Sequence, residues 1–265
     1  MTVLLAVAAV WTAPPPGAPI PLQPRPLATR LVATTRELDR AIGRWRALGN
    51  PARGGPPKEV TLDALYQQRI SILLSARRRL SRAVLRRLPS RTAQLERGEI
   101  AAHRELVKLS RPQPLSRFRV GRAEAADRLR GYYAEGQRRF DVSWRVLAAV
   151  NYVESAFNKL RNASPAGAQG PMQFLPTTWR AYGLGGNIHD PRDAILGAAN
   201  YLHANGAPND YRRALFRYNP SALYVDAVLR YANEIRSDPR AYYAMYSRQV
   251  FVRTPRGLVR LTGPR

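Results

Sequence analysis

The sequence contains no cysteine, three histidines and, among its 43 basic residues, only three lysines. The absence of cysteine excludes disulfide bonds, thiolate zinc sites and thiol nucleophiles from these 265 residues. The histidines, His103, His189 and His203, are too scattered to indicate a metal centre. We therefore expect no metal and no cofactor, and any chemistry has to come from carboxylates, hydroxyls, amides or the backbone.

Acidic residues are scarce as well, because 18 Asp and Glu stand against 43 Lys and Arg and leave a formal net charge of +25. Such an excess favours an anionic partner, which can be nucleic acid, anionic lipid or an acidic polymer. No RNA-binding or zinc-finger signature accompanies the basic residues, so no specific nucleic-acid partner is expected. The preference for Arg over Lys is also what GC-rich coding would produce by itself.

Long apolar runs are missing too. The run at residues 3–10 is too short to cross a bilayer as a helix, so no membrane span is expected. Its length suits the apolar part of a secretory signal peptide, although no Lys or Arg precedes it. We interpret residues 1–26 as a signal-like apolar segment and a proline-rich linker, with a disordered or weakly docked tail as the alternative.

Apolar residues spaced three and four apart predict helices along most of the remaining chain. Residues 27–49, 61–88 and 91–109 are predicted to form Arg-rich helices that pair as an antiparallel hairpin or coiled-coil arm, spanning residues 27–115. Pro89 ends the second of these helices, and Pro112 and Pro114 mark a linker after the third.

A compact helical domain is predicted over residues 116–240, where shorter helices alternate with Tyr, Gly and Pro. The predicted helices are residues 123–140, 143–157, 176–182, 191–204, 210–218 and 221–236. In the tail, residues 241–265, two short β-favouring runs at 249–252 and 258–261 flank a turn and predict a hairpin. The expected fold class is all-α, with an N-terminal helical arm and a small C-terminal β-hairpin.

Glu154 is the one acidic residue of a largely apolar predicted helix, residues 143–157. The apolar stripe of that helix consists of Val146, Val150, Val153 and Phe157. Glu154 lies beside this stripe near the C-terminal end, and Asp141 or Ser143 is expected to cap the other end. Partial burial and the helix dipole both disfavour the ionised carboxyl, which predicts a raised pKa suited to a general acid. A solvated surface glutamate is the ordinary alternative.

Residues 162–179 form a loop rich in Ala and Gly that also carries Gln169, Met172 and Gln173. Amides that bind hydroxyls, together with apolar side chains that cover ring faces, suit a sugar ligand. Tyr218 and Asn219 end a later helix and can reach the same cleft. Composition alone favours an ordinary loop with a core methionine and a routine helix end.

Four short motifs, taken in their order and spacing, are more specific evidence of function than the composition of the loop. They are Glu154-Ser155-Ala156-Phe157, Ser164-Pro165-Ala166-Gly167-Ala168, Gly170-Pro171-Met172-Gln173 and Tyr218-Asn219. Together they resemble the lytic transglycosylase family with a soluble-lytic-transglycosylase, goose-lysozyme-like catalytic domain, over about residues 140–232. Pro171 stands where that family usually has Leu, and Arg217 where it usually has Ala. The resemblance implies an α-rich, lysozyme-like catalytic domain.

The resemblance also implies a reaction. Members of the family cleave the β-1,4 bond between N-acetylmuramic acid and N-acetylglucosamine in peptidoglycan without water and leave a 1,6-anhydromuramic end. Glu154 would protonate the glycosidic oxygen and then, as carboxylate, take the proton of the C6 hydroxyl. A single carboxyl group suffices, whereas ordinary glycosidases use two. Asp141 and Asp190, the acids nearest in sequence, are read as a helix cap and a helix start.

The loop composition and the resemblance together predict six substrate-binding positions, with a structural role favoured for Asn219. They are Ser164, Gln169, Met172, Gln173, Tyr218 and Asn219. Met172 would pack on a sugar ring and Tyr218 would position Glu154. The implied partners are peptidoglycan glycan strands, with anionic wall polymers attracted by the basic arm, and the implied location is secreted or cell-wall associated.

Three other functions stay open at this point. A goose-type lysozyme shares the fold and the single Glu but delivers water to the sugar. A non-catalytic wall-binding or scaffolding protein would use the arm alone, and a nucleic-acid-binding protein would use its charge.

Overall fold

A computed structural model of the chain describes residues 11–264. The helices are α1 (Pro24–Leu48), α2 (Lys58–Ala76), α3 (Arg78–Leu85), α4 (Ser90–Leu109), α5 (Ala126–Phe140), α6 (Trp144–Ser155), α7 (Pro176–Tyr182), α8 (Pro191–Ala204), α9 (Tyr211–Tyr218), α10 (Ala222–Ser237) and α11 (Arg240–Ser247). Strands β1 (Phe251–Thr254) and β2 (Gly257–Arg260) pair antiparallel, with Phe251 opposite Arg260. The all-α fold class with a C-terminal hairpin is confirmed. Residues 3–10 lie outside the described part, so the signal-like segment stays a prediction.

Proline and aspartate set the helix starts that the sequence predicted best. α7 and α8 have the predicted bounds, and each has proline in its first turn, where the missing N–H leaves no intrahelical bond unmade. Asp190 caps α8 by accepting a hydrogen bond from the backbone N–H of Asp193 at 3.0 Å. Asp190 therefore has the structural role that the sequence assigned to it.

Ser143, one of the two residues predicted to cap α6, occupies its N-cap position, whereas Asp141 does not. Asp141 is the left-handed residue that ends α5, at φ 55° and ψ 25°, and Ser143 makes no capping hydrogen bond through its side chain. Instead, Gln137 of α5 accepts a hydrogen bond from the backbone N–H of Trp144 at 2.8 Å. The side chain that caps α6 comes from the preceding helix, which the local pattern of residues 141–143 does not reveal.

Two further differences concern the helices themselves. The helix predicted over residues 61–88 is broken at Arg77, whose φ of −110° and ψ of 84° are not helical. The break lets α3 fold against α1 and brings Val84 into one apolar cluster with Leu31 and Leu74. The sequence also missed α11, an eight-residue helix whose tyrosines are held by tertiary packing rather than by helix propensity.

The N-terminal helices lie directly against the rest of the protein. Leu38, Ile42 and Trp45 of α1 belong to the main apolar core, together with residues of α5, α6, α8, α10 and α11. The Trp45 ring meets that of Tyr243 edge to face, with centroids 5.7 Å apart. The apolar core therefore includes residues on both sides of position 115, the predicted end of the arm. The division into arm, domain and tail stays a prediction.

Polar contacts tie the C-terminal segment to the body. The buried Arg248 guanidinium donates to Glu99 of α4 at 2.8 Å. Lys159, just after α6, donates through Nζ to the backbone carbonyls of Tyr246 and Arg248. The residues after α10 thus brace the turn that follows α6. Across the described residues, no helix combines the length and the apolarity needed to cross a membrane.

We predict that Arg248→Met destabilises the protein by about 3–5 kcal/mol, because it leaves the Glu99 carboxylate buried without its partner. Urea unfolding followed by circular dichroism measures the change. Arg128→Met is the control, since it removes an exposed ion pair with Glu124 and should cost about 1 kcal/mol or less. Equal losses in the two variants would contradict the assigned role of the buried pair.

Candidate active site

The site begins where α6 ends. After Ser155 the chain passes through consecutive left-handed residues, Ala156 at φ 50°, Phe157 at φ 62° and Asn158 at φ 64°. Such conformations are costly for residues other than glycine and persist where the surroundings hold them. Phe157 is buried in the core, and Ser155 accepts a hydrogen bond from the backbone N–H of Asn158 at 2.9 Å. The turn is thereby fixed, and with it the position of Glu154.

Glu154 is partly buried at the C-terminal end of α6. Its Oε1 accepts a hydrogen bond from the Tyr224 hydroxyl at 2.7 Å. Burial raises the pKa of Glu154 to about 7, and the Tyr224 hydrogen bond acts in the opposite, lowering direction. The raised pKa confirms the direction expected from burial, and it makes both the acid and the carboxylate accessible near neutral pH.

Glu154 has no ionised partner among the described residues. No salt bridge reaches it there, and burial and Tyr224 account for the shift of its pKa without any nearby Asp, Glu or Arg. Asp141 and Asp190 serve as helix-end residues. The arrangement therefore offers one proton-transfer group rather than the pair of carboxylates that ordinary glycosidases need.

Tyr224 is the site residue that sequence reasoning missed. The family resemblance implied that Tyr218 positions Glu154, but the Tyr218 hydroxyl donates to the backbone carbonyl of Met172 at 2.6 Å. Burial and the nearby Glu154 carboxyl keep the pKa of Tyr224 well above its usual value, so it remains a donor. In the sequence, Tyr224 is only a first-turn aromatic in the buried stripe of α10, with nothing to separate it from a core residue.

The loop after the turn is fastened to α6 through one carbonyl. The Pro171 carbonyl accepts hydrogen bonds from Asn151 Nδ2 at 2.8 Å and from Ser155 Oγ at 2.6 Å. Asn151 is itself oriented by the Tyr133 hydroxyl, which donates to its Oδ1 at 2.7 Å. Because the contact uses a backbone oxygen, proline at position 171 serves as well as leucine would.

The polar residues predicted to touch a ligand shape the loop itself. Ser164 Oγ accepts the backbone N–H of Ala168 at 3.0 Å, and Gln173 Nε2 donates to the Gly170 carbonyl at 3.0 Å. Gln169 pairs through its backbone with Phe174, with hydrogen bonds of 2.8 and 2.9 Å. These contacts set the loop geometry, and ligand binding by the side chains of Ser164, Gln169 and Gln173 stays a prediction.

Met172 and Asn219, both predicted to bind substrate, occupy structural positions in the fold. The Met172 side chain has no exposed surface and belongs to the core. Contact with a sugar ring would require the loop to open, so this role stays a prediction. Asn219 ends α9, where its backbone N–H donates to Leu215 and its carbonyl accepts from Ser221.

The central part of the chain is similar to known proteins. Residues 131–238 match the family described as the transglycosylase SLT domain. The chain is 30% identical over 122 residues to membrane-bound lytic murein transglycosylase F of Thiobacillus denitrificans. The aligned residues make up 43% of this chain and 26% of that protein. It is 29% identical over 161 residues to membrane-bound lytic murein transglycosylase F 1 of Alkalilimnicola ehrlichii. Here the aligned residues make up 54% of this chain and 32% of that protein.

A third relative, membrane-bound lytic murein transglycosylase F of Shewanella oneidensis, is 32% identical over 111 residues, covering 38% of this chain and 23% of that protein. The chain thus spans between 23% and 32% of the length of these curated relatives. No solved structure gives a significant match.

Gly170 provides a test of how tightly the loop is held. It has a φ of +74°, and a Cβ at this position would lie 1.9 Å from the Ile188 carbonyl oxygen. Gly167 has a similar φ of +84° but open space around it. We predict that Gly170→Ala lowers the unfolding free energy by at least about 1 kcal/mol more than Gly167→Ala, because only the first adds a clash to backbone strain. Thermal and urea unfolding measure the unfolding free energy of both variants. Similar decreases would show that the loop shifts enough to accommodate the added methyl group.

The pKa of Glu154 tests which tyrosine acts on it. We predict that Tyr224→Phe raises this pKa above about 7, since a hydrogen bond that favours the carboxylate is lost. Tyr218→Phe, which removes a hydrogen bond to Met172 instead, is the control and should move the pKa less. The measurement is an NMR titration of ¹³C-labelled glutamate carboxyls, with the Glu154 signal assigned from Glu154→Gln. A larger shift in Tyr218→Phe would restore the assignment made from the sequence.

Proposed function

We propose that this protein is a peptidoglycan lytic transglycosylase, because residues 131–238 match the transglycosylase SLT domain family. It cleaves the β-1,4 bond between N-acetylmuramic acid and N-acetylglucosamine without water and forms 1,6-anhydromuramic ends. The observation that carries the proposal is Glu154, a partly buried carboxyl with a pKa of about 7 and with no second carboxylate beside it in the described residues.

The first step uses the protonated form of Glu154. Its proton passes to the glycosidic oxygen while the bond from that oxygen to C1 of the muramic sugar breaks, and N-acetylglucosamine leaves with a free 4-hydroxyl. Positive charge develops at C1, where the acetamido group of the substrate stabilises it. The Tyr224 hydroxyl, 2.7 Å from Glu154 Oε1, stabilises the carboxylate that forms.

The second step uses that carboxylate as a base. It takes the proton of the C6 hydroxyl, and the oxygen closes on C1 to give the 1,6-anhydro ring. Glu154 ends the cycle protonated, so no water is consumed and one residue performs both transfers. A pKa near the working pH suits such a residue, because neither form is strongly favoured.

The sugar-binding groups of this mechanism come from the loop and from α9. Ser164, Gln169 and Gln173 contribute hydroxyl and amide groups to the glycan, and Tyr218 holds the loop through the Met172 carbonyl. Asn219 keeps the end of α9 in place beside them. Arg217, the exposed residue before Tyr218, adds positive charge beside these groups.

The place of action follows from the substrate. Peptidoglycan lies outside the cytoplasm, so we propose a secreted or wall-associated protein. Exposed arginines of α3, among them Arg78 and Arg79, form no salt bridge within the described residues and attract anionic wall polymers. No specific nucleic-acid partner is part of the proposal.

A lysozyme-type hydrolase is the nearest rival, and its products differ. Mass spectrometry of digested sacculi identifies anhydro ends if the proposal is correct. Reducing ends that accept label from borohydride would show hydrolysis instead. Retention on sacculi without any released muropeptide would indicate a wall-binding protein without catalysis.

We predict that Glu154→Gln lowers the rate of muropeptide release by about 10²- to 10⁴-fold, since the amide keeps the shape of the side chain but cannot transfer a proton. Circular dichroism should show an unchanged fold. Glu59→Gln, which alters a half-exposed carboxylate on α2, is the matched control and should retain full activity. Near-normal turnover by Glu154→Gln would refute the assignment of the acid.

A further inference from the structure

We propose that a groove beside the active-site loop binds the carboxylate groups of the stem peptides that peptidoglycan strands carry. This inference rests on the proposed function. It concerns residues 113–119, which precede the part of the chain that matches the family.

The groove has a volume of about 340 Å³. One wall is the segment between α4 and α5, and the other is the start of the active-site loop. The lining residues are Gln113, Ser116, Arg117, Phe118, Arg119, Asn162, Ala163, Ser164 and Pro165. Ser164 therefore belongs both to the groove and to the loop of the proposed active site.

The first wall is fastened to the chain that follows Glu154. The Arg119 carbonyl accepts a hydrogen bond from the backbone N–H of Arg161 at 2.9 Å, and the backbone N–H of Gly121 donates to the Lys159 carbonyl at 2.9 Å. At the other end, the backbone N–H of Gln113 donates to the Arg253 carbonyl of β1 at 3.0 Å. The wall is thus held at both ends, so its arginines stand in a defined place.

The charge of the groove selects an anion. Arg117 and Arg119 are exposed, and neither guanidinium makes a salt bridge or a side-chain hydrogen bond within residues 11–264. No acidic residue lines the groove. Guanidinium groups bind carboxylates with paired hydrogen bonds, and these two are available for that purpose.

The other lining groups favour a peptide over a simple anion. Ser116 and Ser164 offer hydroxyls, Gln113 and Asn162 offer amides, and Phe118 offers an apolar face. Amides and hydroxyls match the backbone of a peptide, whereas a bare sugar acid would leave Phe118 unused.

The position of the groove fits the chemistry of the substrate. The Asn162 carbonyl accepts a hydrogen bond from Gln173 Nε2 at 3.4 Å, which connects the groove to the loop that carries Met172 and Gln173. A muramic sugar in the cleft carries its stem peptide outward on a lactyl group. A groove one loop away from the sugar site can therefore hold the peptide of the same strand.

The test compares intact sacculi with glycan strands from which an amidase has removed the stem peptides. For the double variant Arg117→Ala/Arg119→Ala, the ratio of cleavage rates on sacculi and on stripped strands should fall by about fivefold, as two exposed charge pairs are lost. The control Arg53→Ala/Arg138→Ala removes two exposed arginines elsewhere and should leave this ratio unchanged.

A binding assay separates failure of the groove from failure of the proposed reaction. In the Glu154→Gln background, co-sedimentation with sacculi should weaken about fivefold in Arg117→Ala/Arg119→Ala, and 0.5 M NaCl should remove the difference. An equal loss on sacculi and on stripped strands would overturn the peptide assignment, as would a similar loss in the control. If the wild-type protein cleaves neither substrate, the proposed reaction is wrong. The co-sedimentation result then decides by itself whether the groove binds stem peptides.

Discussion

Two hydrogen bonds to the Pro171 carbonyl are the contact on which the site depends. Asn151 and Ser155 supply them from the last turn of α6, the turn that also carries Glu154. Any movement of the loop relative to the acid would leave two buried donors unpaired, which costs more than the net value of the bonds. These two hydrogen bonds therefore fix the position of the loop relative to the acid in this structure, and the left-handed turn after Ser155 is stabilised by the same core.

The burial of Glu154 has a thermodynamic consequence. Its pKa in the folded protein, about 7, lies above the ordinary value, so the folded state holds its proton more tightly than the unfolded state does. This contribution to stability is fully present below the ordinary pKa and is lost as pH rises toward 7. A site that needs an acid at neutral pH thus lowers the stability of the fold there.

Local signals in the sequence predicted the helices that start with Pro176 and Pro191, the hairpin and the environment of Glu154. What they missed depends on partners distant in sequence. Tyr224 lies 70 residues from the carboxyl that it contacts, and only the packing of α10 against α6 selects it over Tyr218. The break at Arg77 likewise follows from the docking of α3 on α1. An apolar pattern predicts which side of a helix is buried, but it contains no information on what it is buried against.

The basic N-terminal helices have a structural role that their composition hides. Glu99 of α4 pairs with the buried Arg248, and Trp45 of α1 packs on Tyr243 and Tyr246 of α11. The C-terminal segment that receives these contacts in turn holds Lys159, a few residues beyond Glu154. Charge on these helices therefore sits on a surface in fixed relation to the acid rather than on a freely moving tether. A polymer attracted to that surface would meet Glu154 in a restricted set of orientations.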